Sequence, residues 1–359
     1  MGKKIRVSKV NIYFDRNSLI IKISGIMKSG TLNLIMKQLT VANKRHEYTI
    51  TDIILDLSDV YPISSAAVVG LVCLCSALMT NKMKEIASPL NFYLRRPSES
   101  VLTYLATLCF FTQMSNKANL LGCEDLVRFE DKREQRSRKK QKSVSFDSHF
   151  DDDGKPIILP IKTIPCKGDS INDQDFENAC QYFVNEVYDT FKRLFFSSHF
   201  NFSEGALREF CSANGELFVN IFEHSNSWGL GAIHANPARG TTVCYHDVGV
   251  CIKASVNSSP KAGREFEKFE TDHEAMKWAL KEGNSSKLSG NGRGLTVVEE
   301  FVLEKNGTIE MRSGCCLLRK KPGDQPGDEN WRALNVPWFP GTQINFFIPC
   351  ATATINNRG

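Results

Sequence analysis

A charged tract in the middle of the chain sets the first limit on what it can fold into. Residues 132–142 read KREQRSRKKQK, seven basic residues to one acidic, and DDDG follows at 151–154. Such a stretch has too little apolar surface to offset the entropy of ordering it. Residues 131–168 are therefore predicted to form an exposed, charged connector. The rest of the 359-residue chain must then close two separate cores, one within 1–130 and one within 169–359. Each flank is of ordinary domain size. With 42% hydrophobic and 24% charged residues, there is enough apolar material for both.

Charge and cysteine usage narrow the class. A net charge of +5 over this length is too small to indicate a nucleic-acid binder. The basic half of the connector reads as a solvated tract in preference to a nucleic-acid contact. The opening MGKKIRVSKVNIYFDR lacks the apolar segment of a secretory signal. The longest apolar run, 66–79, falls short of the ~20 residues of a membrane span and is interrupted by Ser76. Twelve cysteines occur with no C-x-x-C pair, several inside apolar runs such as VCLCSAL. They read as free thiols that pack as small hydrophobes in a reducing compartment. A cytoplasmic protein with no membrane partner is expected.

Before the connector, strand and helix patterns alternate, which argues for an α/β layer. Residues 19–23 and 53–57 read as strands, as do residues 90–94. Residues 31–44 have helical spacing, with Leu32, Leu34, Ile35, Leu39 and Ala42 apolar, and 66–83 is a long apolar helix. Ser98 opens a further helix with Val101, Leu102, Leu105 and Leu108 on one face. The segment IILDLSDVYPISSAAVVGLVCL, residues 53–74, resembles the core of a STAS domain, the fold of anti-sigma-factor antagonists. In that family an Asp-Ser-Ser-Gly turn opens the helix and its first Ser accepts a phosphate. The resemblance places Ser64 on the acceptor and Ser65 beside it, with Ile63 and Ala66 replacing the family's Asp and Gly. Read from the residues alone, Ser64 is a helix N-cap.

The second half carries the chemistry. In ANGELFVNIFEHSNS, residues 213–227, Leu217, Phe218, Val219, Ile221 and Phe222 are apolar. Glu216, Asn220 and His224 recur at i, i+4 and i+8, a narrow polar stripe on a buried helix. Unpartnered burial costs roughly 2–7 kcal/mol for a neutral polar group and more for a charge, so something polar must lie against the stripe. Residues 241–246 alternate as a strand and end in Asp247-Val248-Gly249. A carboxylate there accepts an exocyclic amine, and the glycine lets a flat ring approach the backbone. In SGNGRGLTVVEEFV, residues 289–302, Gly290, Gly292 and Gly294 lead into an apolar helix, the pattern of an anion site at a helix N-terminus. Gly341-Thr342 precedes a closing strand.

In this order the elements resemble a GHKL ATPase, the Bergerat α/β sandwich of histidine kinases, gyrase, mismatch-repair ATPases and anti-sigma serine kinases. The resemblance covers roughly residues 171–349, and the trailing His224 is most similar to the anti-sigma kinase branch. It implies ATP and Mg²⁺ as cofactors. Asn220 would hold the metal and Glu216 would polarise the attacking water or hydroxyl. Asp247 would accept the adenine amine, with Gly249 and Thr342 alongside. Gly290, Gly292 and Gly294 would face the phosphates. Residues 251–289 would be the lid, with Ser285, Ser286 and Lys287 as weaker phosphate contacts. His224 would orient Glu216 or touch phosphate. Cys251 stands where the family has a second glycine.

The whole chain then reads as an α/β protein in which a STAS-like module precedes a GHKL domain. Its expected function is ATP-dependent regulation, by an ATPase or serine kinase coupled to a protein partner through the STAS-like half. A nucleotide-gated switch without kinase activity is the alternative, a nucleic-acid-binding ATPase is a weaker one, and a homodimer is left open.

Overall fold

Alternating apolar residues in SLIIKISGIM build the strand around which the first unit forms. The computed structural model describes residues 8–15, 18–43, 52–79 and 91–95, single positions between 98 and 113, and 157–164. Beyond these it describes residues 173–195, 202–236, 239–263, 266–281, 283–284, 294–326 and 331–350. The chain divides into two units, Met1–Ser143 and Val144–Gly359. Both are mixed α/β, each with its own sheet.

In the first unit the sheet order is β1 (Lys9–Asp15), β2 (Ser18–Met27), β3 (Asp52–Ile63) and β4 (Asn91–Arg95). The first pair is antiparallel, and the other two are parallel. Helices α1 (Thr31–Asn43) and α2 (Ser65–Met79) fill the crossover between β2 and β3 and follow β3. Every residue of α2 from 65 to 78 is buried, which explains a helix apolar on all sides. Ser64 caps it: its Oγ accepts from Ala67 N at 3.3 Å, and its own N–H donates to Met27 O at 2.9 Å. The predicted strands at 19–23 and 53–57 are the middles of longer strands, and Val101, Leu105 and Leu108 are buried as the helical spacing implied. Leu102 lies outside the described residues.

The second sheet is antiparallel throughout, in the order β5 (Ile157–Ile164), β6 (Gly229–Asn236), β7 (Gly240–Asp247), β9 (Arg332–Pro349) and β8 (Thr308–Lys320). Strand β5 corrects the connector reading. Residues 157–164 lie inside the 131–168 tract yet pair with β6, and Ile164 is fully buried. The charge runs at 132–142 and 151–154 masked the short apolar segment that follows them, IILPIKTI, which has a sheet edge to join.

Three helices supply the core on one face of this sheet: α3 (Asp173–Phe195), α4 (Glu204–His224) and α7 (Gly294–Glu304), the last after α5 (Ile252–Asn257) and α6 (Asp272–Ala279). Tyr245, Ile344 and Met311 form one inward row across three strands, and Val243, Phe346 and Ile309 the next. No described helix is long and apolar enough to cross a membrane.

The opposite face of the sheet carries two imidazoles whose burial lowers their pKa, His234 to about 4 and His246 to about 3, the latter with the Arg312 guanidinium adding to the effect. An unfolded histidine takes its proton near pH 6.5. Below that pH the unfolded chain binds more protons than the folded one, so stability present above pH 6.5 is lost as pH falls. The loss is about 1.4 kcal/mol per pH unit for each fully titrating histidine. The melting temperature of the second unit is expected to fall between pH 6.5 and 4, and the fall to be shallower in His234→Gln. Identical slopes in parent and variant would show that His234 titrates alike in both states.

Candidate functional site

Helix α4 is longer than the polar stripe suggested. Ser203 caps it by accepting from Ala206 N at 3.2 Å, and it runs 21 residues to His224. Two pins fix it to β7. At mid-helix, fully buried Asn214 donates to Phe210 O at 2.7 Å and accepts from Tyr245 Oη at 2.9 Å. At its C-terminus, the Ser225 carbonyl accepts from Val250 N at 2.8 Å. A Cβ on Gly249 would lie 1.7 Å from that same carbonyl oxygen, so only glycine allows the approach. Helix α4 is thereby held against β7 and the turn that follows it.

At that end, Asp247 is 3% exposed and grips two backbone amides: Gly249 N at 2.8 Å on Oδ1 and Thr342 N at 3.1 Å on Oδ2. Gly341, at φ 76°, brings its chain so close that a Cβ would meet the Asp247 carbonyl oxygen at 2.2 Å. Ser313 on β8 closes the row. Its Oγ lies 3.2 Å from Thr342 Oγ1 and accepts from Ile252 N at 2.8 Å. Asp247, Thr342 and Ser313 thus sit side by side on the helix-covered face of three adjacent strands.

The other half of the site is where α7 begins. A Cβ on Gly294 would lie 2.5 Å from Glu216 Oε2 and 3.5 Å from Asn220 Nδ2. The first residue of α7 therefore rests directly on the stripe of α4, and glycine is what permits it. Asn220 Nδ2 is buried without a hydrogen-bond partner. Burial also raises the pKa of the Cys180 thiol on α3, with the Glu216 carboxylate nearby adding to it.

The structure thus brings Glu216, Asn220 and Gly294 together, and Asp247, Gly249 and Thr342 together, with α4 joining the two groups. His224 ends the stripe about 12 Å along the axis from Glu216, next to the Ser225 pin. Its pKa is lowered by burial, which favours the neutral imidazole. Gly290, Gly292, Ser285, Ser286 and Lys287 lie outside the described residues.

Two sequence expectations change. The span read as a lid is, in its described part, a packed substructure. Asn257 clamps Phe269 through both backbone groups, and Phe266, Phe269 and Trp278 form a ring cluster. Asp272 holds Cys315 N at 2.8 Å, tying α6 to β8. Cys251, in place of a glycine, has φ −70° and ψ 160° as the N-cap of α5, a conformation open to any L-residue. Ser313 and Ser225 were invisible to motif reading, because one sits in ordinary strand alternation and the other acts through its carbonyl.

Among the described residues no cluster of three or more His, Cys, Asp or Glu could cage a metal. A magnesium ion fits the site in its usual way, through one or two protein oxygens with phosphates and water completing the shell. The orphaned amide of Asn220 beside the Glu216 carboxylate is the group suited to it, since a half-turn of the amide exchanges its nitrogen and oxygen. No model of a known protein family matches the chain, and no curated protein sequence matches it.

Proposed function

We propose that the second unit binds ATP with magnesium and acts as a GHKL-type ATPase or serine kinase, and that the first is a STAS-like docking domain. The observation that carries this reading is the meeting of Glu216 and Asn220 with the start of α7 at Gly294. A carboxylate, an amide whose nitrogen is buried without a partner and a helix N-terminus together suit a phosphate chain and its cation.

In this reading Asp247 takes the adenine amine. A carboxylate offers about four acceptor positions, so two backbone amides do not exhaust it. Its two amide contacts fix its orientation before any ligand arrives, which lowers the ordering cost of binding. Thr342, held by Ser313, lines the same end. Asn220 would hold the magnesium ion, whose chemistry there is to neutralise charge on the phosphates. Glu216 is placed to take the proton of the attacking water or hydroxyl. The start of α7 at Gly294 lies directly against that carboxylate.

Asp247→Asn removes the charge of the adenine end and, because each carboxylate oxygen accepts a backbone amide, also gives up one of those two hydrogen bonds. It is expected to weaken ATP by ~1.5–3 kcal/mol, the worth of a hydrogen bond to a charged group, read by calorimetry. Unchanged affinity would place the adenine elsewhere. Incubation with γ-labelled ATP and magnesium then separates the activities: free phosphate marks an ATPase, and protein-bound label a kinase.

One observation favours a nucleotide-gated switch as the second reading. The Ser64 hydroxyl, the acceptor implied by the STAS resemblance, is engaged in capping α2. A first unit that serves only as a partner surface is compatible with that engagement. Label appearing on the chain and lost in Ser64→Ala would exclude the switch reading. The expected setting is cytoplasmic, with a protein partner in preference to nucleic acid.

A further inference from the structure

Behind the row Asp247, Thr342 and Ser313, strand alternation places a second row on the opposite face of the sheet: His246, Gln343 and Arg312. Their pairing is direct, His246 with Gln343 and Gln343 with Arg312. All three are buried, at 0%, 4% and 3% exposure. The Phe339 ring covers them, 4.8 Å from the His246 ring and 4.8 Å from Arg312 Cζ. The ring sits at the register shift between Ser313–Thr342 and Gly314–Phe339, beyond which the first part of β9 goes on pairing with β8.

Two donors of this row have no hydrogen-bond partner. Arg312 gives one N–H to Pro337 O at 2.6 Å, while its Nε is buried with no hydrogen-bond partner. Gln343 Nε2, on the neighbouring strand, is likewise buried with none. Among the described residues no carboxylate forms an ion pair with Arg312, and burial lowers its pKa to about 10. Elsewhere on the same strand the arrangement is different: Arg319 is paired with Glu310 and Lys320 with Glu299. A buried guanidinium without a counter-charge is costly unless something anionic completes it.

We propose that Arg312 and Gln343 form a binding site for a small oxyanion, a carboxylate or phosphate. Guanidinium N–H groups match two oxygens of such an ion in one plane, and the Gln343 amide supplies a further donor from the side. The Phe339 ring lies against the guanidinium on one side. The site is independent of the nucleotide reading, since none of its residues belongs to the front row.

The test is calorimetric titration of the full chain with inorganic phosphate and, separately, with acetate, at constant ionic strength set by sodium chloride. Asn220→Ala serves as the background, so that phosphate uptake at the α7 end is not counted. Saturable binding of one ion per chain is expected, weakened at least tenfold in Arg312→Met. Gln343→Leu keeps the cation and removes only the amide, and is expected to weaken binding about threefold to tenfold while remaining folded by circular dichroism. Preference for acetate identifies a carboxylate site, and preference for phosphate a phosphate site. Absence of saturable binding of either ion, or equal binding in the parent and Gln343→Leu, would overturn the proposal and leave buried water as the partner of both donors.

Discussion

Glu216→Gln is expected to bind ATP within a few-fold of the parent and to turn it over ~10²–10⁴ times more slowly, the range for loss of a positioned general base. The substitution is nearly isosteric, so α7 keeps its seat and the effect is confined to the proton-accepting group. Gly294→Ala is the informative companion. Its new Cβ would press on Glu216 Oε2, the far end of a flexible side chain, so the fold can absorb it by moving the carboxylate. Displacing a reacting group by about 1 Å can cost on the order of 10²-fold. Loss of turnover in Gly294→Ala with an unchanged melting temperature would tie the rate to the position of Glu216. Full turnover in Glu216→Gln would remove the residue from the chemistry.

How much of this was legible beforehand follows from what each signal rests on. The i, i+4, i+8 stripe of Glu216, Asn220 and His224 could be read because a helix of known pitch must put those residues on one face. The glycines could be read because backbones approach closely only where there is no Cβ, and Gly249 against the Ser225 carbonyl is such a place. Neither signal says which partner lies opposite. That Gly294 meets Glu216, and that Asp247 accepts from Gly249 and Thr342, are tertiary facts set by how the helices and strands pack. Strand β5 was missed for the opposite reason: its apolar run is short and its neighbours are charged, so composition averaged over the tract concealed it. The first strand, β1, gave little warning either, because its exposed residues outnumber its buried ones. The Arg312 row could not be read at all, since an arginine in an alternating strand looks like a solvent-facing residue until something covers it.

The largest effect on stability is expected at a buried ion pair that no motif announced. Lys320 on β8 and Glu299 on α7 are both essentially without solvent contact, and Lys320 Nζ donates to the Glu299 carboxylate. The same ammonium donates to Gln325 O at 2.6 Å and lies 5.3 Å from the Trp331 ring. One charged group therefore binds the end of β8, the turn that follows it, and the helix that starts at Gly294. Removing either partner leaves the other charge buried without its counter-charge, which costs about 3–5 kcal/mol. At about 2–4 °C per kcal/mol for a unit of this size, Lys320→Met or Glu299→Leu alone is expected to lower the melting temperature by about 6–20 °C. The double variant removes both desolvation costs and is expected to recover most of that loss, because packed apolar side chains commonly replace a buried pair without penalty. Recovery would show that the pair stabilises little in net terms and that the penalty belongs to the orphaned charge. ATP affinity in the stable double variant then reports whether the tie to β8 also sets the position of α7. Two single variants that melt with the parent would instead mean that water reaches the pair and that α7 is held by its apolar face, through Val298, Phe301 and Val302, alone.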